Sequence, residues 1–436
     1  MQGFGLGTSL FAGAFAASVG LAGCGGDEGS KKVNSPSGAS GDGGAAASAS
    51  AGVSATPVQT SDLSGSAKSD YDKGWQAWQA GDLLGAKKAF SSAAEDDPKS
   101  PAPHFALGTV MDRLGDSAGA QQEYRASFAL KPDYDPAISA YALSLASSGH
   151  AGEADTFVTD KHQKYPDSAA ITTILADIKS IEKDSGTAQQ LAQDALRVNP
   201  DYKPAMVTIA RDHWRAGRPE LAKYALQAVL DGFDPTPPRD KDNPDAHLLR
   251  GLIERQAGQR AAAMADFDAA QRKRPDLVEA LVQLGEMKDE AGNVQEALPL
   301  LEAAVRYAPN SGVGHLDLGD AYRLANRPAD AKKEFDTALA LDSSLAQAHY
   351  DMGLLYLFST SIPGMNASDQ VGAAIRELNT FKTMRGALGA RGNKDDTDEL
   401  LSRANAKQAE IKQGVAGPAP ASTGSANVTP AKGGGK

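Results

Sequence analysis

The chain has 436 residues, of which 41% are hydrophobic but only 6% aromatic, and its formal net charge is −11. That is enough apolar content for a buried core, and an alanine-rich, aromatic-poor one suits closely packed helices better than a thick β-sandwich. The acidic balance argues against a nucleic-acid surface, which needs a basic stripe, and the single cysteine, Cys24, excludes an internal disulfide framework and a multi-cysteine zinc site.

Read in chain order, the first 26 residues contain no Asp, Glu, Lys or Arg, and Leu6 to Ala22 is apolar and built of small side chains. The run ends in Leu21-Ala22-Gly23-Cys24, an order that resembles a bacterial lipobox. The resemblance implies a signal peptide over residues 1–23, cleavage before Cys24, a diacylglycerol on its sulfur and an acyl chain on the new amine, with no other cofactor. Two or three acyl chains anchor a protein stably where one is marginal. Gly25, rather than Asp, after the cysteine implies an outer-membrane address with the body facing the periplasm. The opening MQGFGLGTSL lacks the basic residue of a usual signal peptide; an uncleaved anchor and simple secretion are the other readings of this segment.

Residues 25–66 are mostly Gly, Ala, Ser and Asp, a composition expected to stay disordered. Forty-two such residues would form a tether with a reach of roughly 35 Å. The tail, 414–436, has the same character.

Between these segments seven hexapeptides line up: GDLLGA from Gly81, GDSAGA from Gly115, GHAGEA from Gly149, GRPELA from Gly217, GQRAAA from Gly258, GNVQEA from Gly292 and NRPADA from Asn326. Their spacings are 34, 34, 68, 41, 34 and 34 residues, and a 34-residue period marks a helix–turn–helix repeat. Gly or Ala at the eighth place and Ala at the twentieth would let two helix axes approach closely. An aromatic or Leu at the twenty-fourth fills the gap, Gly supplies a left-handed turn, and Pro at the end stops the second helix. In the repeat from Pro244 these places are held by Gly251, Gly258, Ala263, Phe267, Ala270 and Pro275; in the next by Gly285, Gly292, Ala297, Leu301, Ala304 and Pro309.

These residues resemble the tetratricopeptide repeat (TPR) family over about residues 67–385. The resemblance implies an all-α, right-handed superhelical solenoid of about nine repeats, starting near residues 67, 101, 135, 169, 203, 244, 278, 312 and 346. Seven extra residues around DPTPPRDKD make 234–243 a candidate hinge or outward loop, and SIPGMNASDQ (361–370) lengthens the turn of the ninth repeat. Over 386–413, Leu400, Leu401, Ala404 and Ile411 mark one apolar face, as expected of the capping helix a solenoid needs. That helix would cover Tyr350, Leu354, Leu357 and Phe358.

The stretch GDSAG (115–119) has the spacing of a hydrolase nucleophile turn. Gly115 and Ala120, however, fall in register with the other turns, and helix rather than strand precedes Ser117, so no catalytic residue is assigned. His104, His247, His315 and His349 share the fourth, core-facing place of their repeats, a repeat width apart and too far to share a metal. No phosphate loop, EF-hand or catalytic carboxylate pair is present, and neither a small-molecule substrate nor an enzyme is expected.

The repeat phase puts Tyr71, Trp75 and Trp78 of the first repeat, and Arg211, Trp214 and Arg215 of the fifth, on the concave groove. Aromatic side chains beside arginines have the composition of a binding hot spot, so these six are the candidate partner-binding residues. Glu279, Glu286, Asp289 and Glu290 face the same groove and could meet a basic partner. The chain is thus expected to be a non-catalytic scaffold, lipid-anchored in the bacterial envelope, holding proteins or peptides for an outer-membrane-associated machine. TPR lipoproteins of this layout resemble parts of gliding-motility, pilus and secretion assemblies, the gliding type at least as well as the shorter pilotins. A soluble secreted adaptor, or the regulatory subunit of an envelope enzyme, is the alternative.

Overall fold

The computed structural model describes residues 56–58, 62–386 and 396–414. Cys24, the 1–23 segment and most of the tether and tail lie outside the described residues. Among the described residues the structure has nineteen α-helices and one isolated bridge, Phe233 to Thr236. The helices alternate in pairs. The first four pairs are α1 (Gly65–Ala80) with α2 (Leu83–Asp96), α3 (Pro101–Arg113) with α4 (Ser117–Leu130), α5 (Asp135–Ser147) with α6 (Ala151–Lys164), and α7 (Ala169–Ile181) with α8 (Ser185–Val198). Then come α9 (Lys203–Arg215) with α10 (Pro219–Leu230), α11 (Pro244–Gln256) with α12 (Arg260–Lys273), and α13 (Val278–Glu290) with α14 (Val294–Tyr307). The last pairs are α15 (Gly312–Leu324) with α16 (Pro328–Leu341) and α17 (Ala346–Phe358) with α18 (Ala367–Arg385), followed by a single α19 (Thr397–Lys412). This is the all-α solenoid of nine repeats, with a capping helix, that the 34-residue period predicts.

Side-chain size sets the helix crossing in every repeat. At the eighth place, Gly74, Gly108, Gly251 and Gly319 lie against the rings of Phe90, Tyr124, Phe267 and Phe335, so close that an added Cβ would stand 2.6–2.7 Å from the nearest ring carbon. Gly285 and Gly353 lie equally close to Leu301 and Leu378; in the third to fifth repeats Val158, Ala192 and Leu226 at the twenty-fourth place face Ala142, Ala176 and Ala210 at the eighth. Both sets are buried, at 1% exposure or less. The twentieth-place alanines Ala120, Ala263, Ala297 and Ala331 are fully buried at the same crossing. A fully buried ring such as Phe267 contributes about 3–5 kcal/mol relative to alanine.

The turns follow as strictly. Gly81, Gly115, Gly149, Gly217, Gly258 and Gly292 take φ of 72–84°, and Asn326 fills the slot at 57°. The fourth repeat has Lys183 there at φ 67°, a left-handed backbone that costs a non-glycine residue about 1 kcal/mol. Asp82 and Asp116, next in line, cap the second helices by accepting from the Gly85 and Gly119 amides at 2.9 Å. Ser117 is thus the first residue of a capped helix.

Three local departures have physical causes. Pro57 is buried and Leu63 is buried in the core of the first repeat, so the described end of the tether is packed rather than disordered, and α1 starts at Gly65. The inserted loop after α10 is stitched down: the Arg239 and Asp240 amides donate to the Ala228 and Val229 carbonyls at 3.3 and 2.9 Å. The 361–370 insert buries Ile362, and Gln370 donates to the Tyr356 and Ser359 carbonyls at 2.9 and 2.8 Å. At the C-terminal end, Leu400, Leu401 and Ala404 of α19 join Tyr350, Leu354 and Leu357 in one core. Only Phe358 keeps 42% exposure, beneath Arg403.

The four fourth-place histidines each meet a carboxylate of the second helix: His104 with Glu123, His247 with Asp266 and His315 with Glu334 at the twenty-third place, and His349 with Glu377 beyond the ninth-repeat insert, at 2.6–2.8 Å. Burial pulls the His247 imidazole down, but hydrogen bonds to Asp266 and to the Lys241 carbonyl outweigh it, and its pKa is raised. Stability from this site is therefore fully present below the unfolded histidine value of about 6.5 and is lost as pH rises through the higher folded value. Asp266, with a lowered pKa, loses its contribution only at acid pH, below the usual carboxylate range. Between about pH 5.5 and 8.5, then, wild type should lose stability to urea as pH rises, and His247→Gln should flatten that slope. Equal slopes for the two proteins would contradict the pairing.

Candidate functional site

First helices form the inner layer. Consecutive ones touch one another, α3 with α5, α5 with α7, α7 with α9, α9 with α11, α13 with α15 and α15 with α17. The second, fifth, sixth, ninth and twelfth places of these helices make up the concave face, the candidate site.

At the N-terminal end this face is taken up by the chain itself. The Tyr71 hydroxyl donates to the Val58 carbonyl, and its ring packs 5.0 Å from Phe90. Trp78 is buried at 2% exposure, its ring 6.4 Å from Tyr307 and beneath the Arg113 guanidinium at 5.6 Å. Tyr307 donates to the Gln79 carbonyl at 2.9 Å. Arg113 donates to the Asp276 carbonyl at 3.2 Å and stands 3.7 Å from its carboxylate, to which Thr56 also donates at 3.0 Å. A Cβ on Gly81 would fall 2.2 Å from Arg306, and one on Gly115 2.7 Å from Asn310. The turns of repeats one and two therefore rest on the turns flanking repeat seven, forming a seam across more than 160 residues of sequence. Tyr71 and Trp78 are corrected from exposed partner contacts to internal ones, because the tether and the seam already cover them. Trp75 is half-buried.

The fifth-repeat trio is also engaged. Arg211, 7% exposed, donates to Asp177 at 2.9 Å, and Thr208 donates to the same carboxylate at 3.0 Å. Arg215 lies 3.9 Å from Asp177 and donates to Ser180 at 3.2 Å. Burial and the neighbouring Arg211 lower the Arg215 pKa to about 10. Trp214, half-buried, donates to Gln256 at 2.9 Å. Arg211 is corrected to a bridge between repeats four and five; Trp214 and Arg215 remain partly accessible at the lip.

From repeat four to repeat nine the concave face is a ladder of charge. Arg211 faces Asp177, Asp245 and Glu279. Arg255 pairs with Glu286 at 2.6 Å and Glu290 at 3.5 Å and also faces Asp317. Arg323 pairs with Asp320 through Nε at 2.7 Å and faces Asp289 and Asp351. Arg260 at the start of α12 and Arg274 just past its end reach in to Glu290 at 2.6 Å and Asp245 at 3.0 Å. Nine carboxylates thus share six guanidiniums, Arg215 included. Burial raises Glu279 to about 8 against the pull of Arg211. Burial, with Asp320 beside it, raises Asp289 to about 7, and burial with Glu286 raises Asp317 well above the carboxylate range.

Sequence phase placed Glu279, Glu286, Asp289 and Glu290 here. Asp317, Asp320 and Asp351 carry the same phase into the next two repeats and could have been read with them. Among the described residues no three His, Cys, Asp or Glu side chains converge as metal ligands would, and no helix is long and apolar enough to cross a membrane.

The seam predicts a large single-site effect. Arg113→Ala would deprive the Asp276 carboxylate, 8% exposed, of the Arg113 guanidinium and should cost about 3 kcal/mol in urea unfolding. A change under about 0.5 kcal/mol, the level of an ordinary surface substitution, would remove the seam from the account.

Comparison with known families fits this geometry. A tetratricopeptide repeat model matches residues 71–148 and 207–278, and a second one matches 289–352. The fold is similar to that in the crystal structure of the APC/C hetero-tetramer Cut9-Hcn1, at a TM-score of 0.50 and 17% identity. That match covers 74% of this chain and 59% of the other, so this chain spans less than two thirds of its length. A human IFIT1 dimer with PPP-AAAA is also similar, with a TM-score of 0.40, 15% identity, and 81% and 89% of the two chains covered. So is the MamA protein, at 0.32, 19%, 41% and 94%. No curated protein matches the chain.

Proposed function

We propose that this chain, whose tetratricopeptide repeats imply a protein–protein interaction scaffold, is held to a bacterial membrane through lipid on Cys24 and offers its concave face to a polypeptide partner. The single observation that carries the anchor is Leu21-Ala22-Gly23-Cys24 at the end of an uncharged apolar run. Cleavage there would make Cys24 the first residue of the mature chain, and acylation at both its sulfur and its amine gives the two or more chains that stable anchoring requires. Gly25 supports an outer-membrane address facing the periplasm. The wider place of the protein is then an outer-membrane-associated assembly of the gliding, pilus or secretion kind.

The scaffold reading makes the protein non-catalytic, as is typical of the fold. The concave face supports it: its charged side chains extend from repeat to repeat as a ladder that can follow a bound segment, unlike the concave pocket that encloses one small molecule. Partner contact falls to the half-buried Trp75 and to Trp214 and Arg215 at the lip, with the acidic ladder between the fifth and ninth repeats.

The anchor is tested by labelling cells with radioactive palmitate. Wild type should take up label and sediment with membranes, whereas Cys24→Ala should be unlabelled and soluble. An unlabelled wild type would overturn the anchor and leave a soluble secreted adaptor.

A further inference from the structure

We infer that the concave face of repeats seven to nine is a receptor for a lysine- or arginine-rich segment of a partner polypeptide, which inserts its cationic side chains between Glu279, Asp289 and Asp317. This deepens the scaffold reading and depends on it, but not on the lipid anchor.

The geometry points to a missing cation. Both carboxylate oxygens of Glu279, and one each of Asp289 and Asp317, are closed to solvent and accept no hydrogen bond. Most of the other ladder carboxylates are held by arginine, and Asp351 accepts from Gln347 at 3.2 Å. Glu279, Asp289 and Asp317 are thus left without a guanidinium hydrogen bond, Asp317 sharing a hydrogen bond only with the Glu286 carboxyl. A buried carboxylate without a partner bears its full desolvation cost and either takes up a proton or gains a counter-charge. The raised pKa values of Glu279, Asp289 and Asp317 are the protonated answer in the unbound chain.

The counter-charge fits a polypeptide better than an ion. No three of these groups converge as metal ligands would. The three lie instead on two neighbouring first helices, and adjacent helices stand about 8–10 Å apart. An extended segment with a basic residue at every third position covers that distance, at about 3.3 Å per residue. The way in is open: side-chain exposure is 28% for Arg255, 23% for Glu286 and 29% for Glu290.

The charged group facing Glu279 is Arg211; those facing Asp289 are Asp320, Arg323 and Glu290. A bound ammonium or guanidinium would favour the ionised carboxylates, so binding releases protons near neutral pH and tightens as pH rises. Lysine stays charged up to about pH 10 and does not oppose the trend. Exposed carboxylates, already ionised above about pH 5, would give no such slope.

The test is anisotropy of fluorescein-labelled hexalysine titrated with the full chain, repeated from about pH 6 to 9 at physiological salt, near the ordinary carboxylate and lysine limits. Saturable binding should tighten about tenfold across that range. Glu279→Gln combined with Asp289→Asn should weaken binding about tenfold and abolish the pH slope, while melting no lower than wild type, since each amide matches the shape of the carboxyl it replaces and cannot ionise in its buried place. Glu95→Gln with Asp96→Asn, on an exposed helix end, should keep wild-type affinity. Calorimetry on wild type alone should show about one proton released at pH 7. Absence of saturable binding, a pH-independent affinity, or equal affinity in the Glu279/Asp289 variant would overturn the receptor, whatever the outcome of palmitate labelling.

Discussion

The structure rests on how near two helices can come. At each crossing a glycine or alanine at the eighth place and an alanine at the twentieth remove side-chain bulk, and the residue at the twenty-fourth fills what remains. Glycine sits under Phe90, Tyr124, Phe267 and Phe335 and also under Leu301 and Leu378, whereas Val158, Ala192 and Leu226 face alanine. Wherever the facing residue is one of these rings the small residue is glycine, as close packing demands. A single repeat cannot bury this stripe alone, so each helix pair is stable only against its neighbours. The concave face is a consequence, because first helices must touch one another to keep the stack closed.

That constraint also explains where charge ends up. Lining an inner face with first helices brings their second, sixth, ninth and twelfth places together from several repeats at once. Side chains that would each be solvated on an isolated helix become a shared, partly dehydrated set. Arg211 answers to carboxylates from repeats four, six and seven for this reason. The surplus of acid over base there comes from the sequence; its high energetic cost comes from the curvature.

Repeat number, turn positions and the capping helix were all legible in the sequence, because each depends on residues within one 34-residue period. The seam was not. Trp78 meets Tyr307 and Arg113 meets Asp276 only once the superhelix has brought distant repeats together, and no local pattern marks either pair. An aromatic residue at a groove position such as Trp78 therefore reads as a partner contact when it is internal. The same applies to Tyr71, whose partner, Val58, lies in a segment that composition alone marks as tether. The histidine–carboxylate pairs are a middle case. Fourth-place histidine coincides with twenty-third-place Asp or Glu in three repeats, and in the ninth once its insert is allowed for, a regularity visible in the sequence only when both columns are read together.

The most direct test of the central constraint is a double-mutant cycle on one crossing, Gly251→Ala with Phe267→Val, the pairing that Ala142 and Val158 already use. Any gain in helix propensity from the alanine is the same in both backgrounds and cancels. The account predicts that Gly251→Ala is more damaging by about 1 kcal/mol or more, in urea unfolding, when Phe267 is present than when it has been replaced. Additive effects would mean that the small residue is not there to admit the ring, and the packing account of this solenoid would fail.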